Sequence, residues 1–103
     1  MAQDIPRLGS YADICRRFRW DIPAVYNIVE DACLRWARAQ PDRLAVVDLR
    51  SDGSRREWTY GALASASARL SSLLVEDGGL RQGDRCAILL PQCAETVLSH
   101  FAL

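Results

Sequence analysis

Few of the chain's 103 residues carry side chains suited to covalent or acid–base chemistry, and their types narrow that chemistry sharply. All 13 basic residues are Arg and none is Lys. The chain therefore offers no Schiff-base lysine, no phosphate-loop lysine and no lysine to steady a transferring phosphate. The one histidine, His100, has no carboxylate or cysteine near it in sequence to make a ligand set or an oriented base, so it reads as a half-buried polar residue at a packing seam. The four cysteines, Cys15, Cys33, Cys86 and Cys93, form no Cys-x-x-Cys pair. That spacing builds no zinc site, and an even count alone makes no disulfide framework. Cys93 falls near the start of a predicted helix, a place that can make a thiol more reactive, but that one position is weak evidence and inert packing is the better reading.

Gly78 and Gly83 match the glycine spacing of a phosphate-binding loop. The next residues should then be Lys and Ser or Thr, but they are Asp84 and Arg85, and the Asp84 carboxylate would repel a phosphate. The loop also leads into a predicted strand instead of opening a helix toward an anion. Its glycines read as turn residues. Trp36 and Trp58 read as core or seam aromatics and not as a ligand cage. The short basic runs at residues 16–19 and 55–56 have Asp13, Asp21 and Glu57 close by, which makes them solvated or ion-paired faces. The serines between residues 64 and 72 lack a Gly-x-Ser-x-Gly setting and read as the polar flank of a helix. No catalytic, cofactor-binding or metal-binding residue is assigned.

The elements that would position any chemistry read as mixed α/β. Residues 1–9 form a loose leader, and Ser10 with Asp13 predicts a capped short helix to about Phe18. Pro23 forces extended chain before it. Asn27 with Glu30 predicts a second cap, followed by a helix whose stripe is Val29, Ala32, Cys33, Trp36 and Ala37, stopped by Pro41. Residues 44–49 and 55–59 predict a hairpin across the turn at 51–54. Thr59 caps a longer helix with Leu63, Ala66, Leu70, Leu73 and Leu74 on one face, ended by Gly78 and Gly79. Residues 85–90 predict a strand with both faces covered, as in a parallel sheet, and residues 93–103 a last helix.

Composition excludes whole classes. Apolar residues are 50% and charged residues 25%, with 13 acids balancing 13 bases, so no basic surplus points to nucleic acid. No apolar run approaches the roughly 20 residues of a membrane helix, and the opening residues lack a secretory signal's apolar region. The expected protein is soluble and cytoplasmic, in a reducing compartment. An Arg-bearing mitochondrial leader is the alternative, against which Asp4 and Asp13 count. A parallel strand followed by an apolar helix demands a further strand beside it. The expectation is therefore a piece cut within a larger domain.

The order of several phrases is also informative: Phe18-Arg19-Trp20, Pro23, Tyr26-Asn27-Ile28, Arg35-Trp36-Ala37, Pro41-Asp42-Arg43-Leu44-Ala45, Trp58-Thr59-Tyr60-Gly61-Ala62-Leu63, Gly83-Asp84-Arg85, and Leu89-Leu90-Pro91-Gln92 followed by Glu95-Thr96. Together they resemble the start of AMP-forming acyl-CoA synthetases of the adenylate-forming superfamily, closest to the medium-chain branch, over about Phe18 to Leu103. The resemblance implies the incomplete N-terminal part of the large domain, with residues 1–26 a leader bearing a short helix and 27–103 a partial AMP-binding domain. For the full-length enzyme it implies a fatty-acid-metabolism ligase using ATP, Mg2+ and coenzyme A on a small carboxylic acid. The family's Lys-ended loop, its later motifs and its C-terminal lysine have no counterpart here, so matched residues carry over as scaffold, with the remainder of the domain as partner and no cofactor bound by this segment. Ala94 departs from the family, which often has Pro there, and predicts a slightly different helix start. Two alternatives remain: a stand-alone interaction module that binds a synthetase or another partner, and a non-functional truncated product.

Overall fold

In a computed structural model, which describes residues 9–103, Ser10 begins the first helix by folding its hydroxyl back onto it. The expected leader falls outside the described residues except for Gly9. Ser10 Oγ accepts from the Asp13 N–H at 3.3 Å, and an Asp13 carboxylate oxygen accepts from the Ser10 N–H at 3.2 Å. This reciprocal cap satisfies amides that the first turn leaves orphaned. It starts α1, Tyr11–Arg17, which ends as Phe18 turns extended.

Asn27 caps the next helical stretch as expected: its Oδ1 accepts from the N–H groups of Val29 at 2.9 Å and Glu30 at 3.1 Å. Residues Glu30–Leu34 then widen into a π-helical turn before α2, Arg35–Ala39. A π turn inserts one residue and shifts the phase of the faces that follow. Cys33 is accordingly fully buried while Ala32, expected on the same stripe, is exposed. The Glu30 carboxylate does not turn back to the cap; it takes the Arg38 guanidinium through two hydrogen bonds, one of them 3.0 Å long.

Strands β1, Leu44–Leu49, and β2, Arg55–Thr59, form the expected antiparallel hairpin, with Val46 opposite Trp58, Asp48 opposite Arg56, and a register shift between Leu44 and Val46. The turn closes through Arg50 N–H to Ser54 O at 2.9 Å. Gly53 supplies a φ of +81°, which costs other residues a left-handed penalty.

The long helix α3, Tyr60–Glu76, is capped by Thr59, whose hydroxyl oxygen accepts from the Ala62 N–H at 3.2 Å. Of the expected stripe, Leu63 is buried at 2% exposure, Ala66, Leu70 and Leu74 are half-buried, and Leu73 is exposed. At its far end Gly79 takes a φ of +68°, and the Leu80 N–H returns to Leu74 O at 3.0 Å. A Cβ at Gly78 would stand 2.6 Å from Leu74 O, so glycine is the residue this close approach admits. Helix α4, Ala94–Ala102, starts from Cys93 as its cap residue and packs on α3, burying Ala94 and Ala102. Ala94, the departure from the family, is thus its first helical residue.

One expected element differs. Residues 85–90 are not a strand: among the described residues the sheet is the two-stranded hairpin alone, and Leu89 is 98% exposed. A strand exists only through its ladder of inter-strand hydrogen bonds, and no described strand pairs with this segment. The architecture is mixed α/β, with helices around one hairpin and without the parallel-type strand.

Two half-buried carboxylates set an acid response. The Ser10 hydrogen bond, then that from Arg16, holds Asp13 below its ordinary 3.8, and Arg38 holds Glu30 below its ordinary 4.5. A folded value below the unfolded one contributes stability that is full above the unfolded value and is lost as pH falls through the folded one. Far-UV circular dichroism should therefore hold down to about pH 5 and lose helix signal below about pH 4. Asp13→Asn with Glu30→Gln should flatten that acid limb; an unchanged limb would contradict it.

Candidate functional site

The residues singled out for chemistry do not converge. In the glycine loop, Asp84 folds locally: its carboxylate accepts from the Arg81 N–H at 2.8 Å, and Gly83 takes a φ of +95°. The loop opens no helix, which agrees with the turn reading over the phosphate-loop one. His100 lies on α4, exposed and not half-buried as expected, because α4 directs Ala94 and Ala102 inward. Cys93 is half-buried, with its Sγ 3.6 Å from Thr96 Oγ1. The Thr96 hydroxyl donates in turn to Pro91 O at 2.6 Å, tying the turn before α4 to its first residues. Cys15 and Cys86 are exposed, and Cys33 is sealed inside, where burial pushes its thiol up from its ordinary value.

The aromatic residues pack as seams. Trp36 on α2 stands 6.1 Å from the Tyr60 ring at the head of α3, with the Arg35 and Arg43 guanidiniums 5.0 and 4.9 Å from its centroid. Arg56 lies 4.7 Å from the Trp58 centroid and also pairs with Glu95 at 3.2 Å, joining β2 to α4. The basic runs are correspondingly engaged: Arg16 pairs with Asp13 and Arg55 with Glu57. Trp20 is exposed, touching Phe18 edge-on at 4.9 Å.

Three polar groups escaped the sequence reading. Among the described residues Asp48 Oδ2, Trp58 Nε1 and Ser67 Oγ are buried without a hydrogen-bond partner, although Arg50 Nε approaches Asp48 Oδ2 at 3.8 Å. Strand alternation could have indicated Asp48, since it shares the inward face of β1 with Val46. Ser67 belongs by residue type to the polar flank of α3, yet it lies one helical turn beyond Leu63 on the same face. A buried hydroxyl without a partner costs stability, and Ala is the better helix former. Ser67→Ala should therefore raise the urea midpoint, by about 1 kcal/mol in stability; a lower midpoint would show that the hydroxyl is satisfied.

A depression of about 340 Å³ lies along the outer face and end of α3, lined by Ala68, Arg69, Ser72, Leu73, Glu76 and Asp77. It opens to solvent. Among the described residues no group of three His, Cys, Asp or Glu side chains is placed to hold a metal ion. Among the described residues no helix is long and apolar enough to cross a membrane.

What this arrangement offers is framework: capped helices, a hairpin and a tie between hairpin and α4. Comparison with known proteins identifies the family. The family described as AMP-binding enzyme matches residues 33–103. The human mitochondrial acyl-coenzyme A synthetase ACSM4 is 27% identical over 86 residues, covering 79% of this chain and 15% of its own length. Pseudomonine synthase PmsE of Pseudomonas entomophila (strain L48) is 37% identical over 95 residues, covering 88% of this chain and 14% of its own. An acetyl-coenzyme A synthetase of Phycomyces blakesleeanus is 30% identical over 97 residues, covering 91% and 14%. The chain thus spans 14–15% of the length of these relatives. No solved structure matches it.

Proposed function

Because the chain belongs to the AMP-binding enzyme family, we propose that it is the opening part of an AMP-forming acyl-CoA synthetase, supplying framework and not catalytic groups. In this reading residues 27–103 are a partial adenylate-forming domain and residues 1–26 a leader that carries α1. The observation that carries it is the family match over residues 33–103, set beside relatives named as synthetases of which this chain spans 14–15%. The parent enzyme joins a carboxylic acid to ATP, giving an acyl-adenylate and pyrophosphate, and then passes the acyl group to the coenzyme A thiol with release of AMP. The medium-chain branch is favoured by the likeness to the ACSM4 synthetase. A cytoplasmic enzyme of fatty acid metabolism completes the reading.

The chemistry needs charge held on a triphosphate as pyrophosphate departs, and an apolar channel for the acyl chain. In this reading both come from elsewhere in the parent enzyme, in keeping with the lack of lysine here. The segment's contribution is positional. Thr59 and Asn27 fix where two helices begin, and the Arg56–Glu95 pair fixes α4 against the hairpin. The experiment is to purify the native polypeptide that carries this segment and to measure AMP formed from ATP with a carboxylic acid and coenzyme A. Acid-dependent and thiol-dependent AMP is expected; ATP left intact across a panel of short, medium and long acids would overturn the reading.

A further inference from the structure

We draw no further inference here: the strongest candidate, the exposed apolar surface that residues 85–90 present on the way into α4, carries nothing because nothing in the structure shows what covers it.

Discussion

Residues 1–103 alone, supplied with ATP, Mg2+, a carboxylic acid and coenzyme A, are expected to form no AMP above the blank. Adenylation places negative charge on a departing pyrophosphate, and enzymes stabilise such charge with fixed cations and aimed N–H donors. Here the cations are all arginines. Several are already engaged: Arg38 by Glu30, Arg56 by Glu95 and Trp58, and Arg35 and Arg43 against Trp36. The glycine loop that could have cradled a phosphate is closed on itself by Asp84. Rate enhancements of about 10⁶ or more rest on such groups acting together, so a segment without them should show no activity and not merely a weaker one. The assay is radiolabelled AMP release. Turnover that rises with chain concentration and survives repurification would contradict the framework reading.

The second large effect concerns folding. Leu63→Ala should cost about 2–5 kcal/mol, the usual penalty for emptying a buried leucine site. Leu63 and Cys33 are the largest fully buried side chains among the described residues, so this small core has little to spare. A whole domain is commonly stable by only about 5–15 kcal/mol. The variant should therefore lose its cooperative urea transition, followed by tryptophan fluorescence, or shift it far down. Leu89→Ala is the control: at 98% exposure it should change stability by less than about 0.5 kcal/mol. Equal midpoints for the two variants would mean that the core is not centred on Leu63.

Local chemistry made much of this fold legible. Ser10, Asn27 and Thr59 are short polar residues before apolar periodicity, and all three hold the caps expected of them. The turn at 51–54 and the glycines after α3 announced themselves through the conformations only such residues adopt at low cost. What could not be read depends on neighbours remote in sequence. The π turn at Glu30–Leu34 shifts Ala32 outward with no glycine or proline to mark it. The strand expected at 85–90 rests on pairing, and apolar composition cannot supply a partner. Ser67 and Leu73 exchange the burial expected of them because packing against α4 and the hairpin, and not side-chain polarity, decides which face of α3 is covered. No catalytic set can be assigned from the residue types, most plainly because lysine is missing. The family was legible only from the order of phrases, none of which does chemistry by itself.

The central claim is that this segment is framework belonging to a larger ligase. It is tested most directly by the size of the native polypeptide in the source cells, detected by immunoblot with an antibody against residues 60–76 and weighed by intact mass. A species several times heavier than the 11.5 kDa of this chain is predicted. A stable native species of 11.5 kDa, with no heavier form carrying the epitope, would contradict it and would favour the stand-alone interaction module instead.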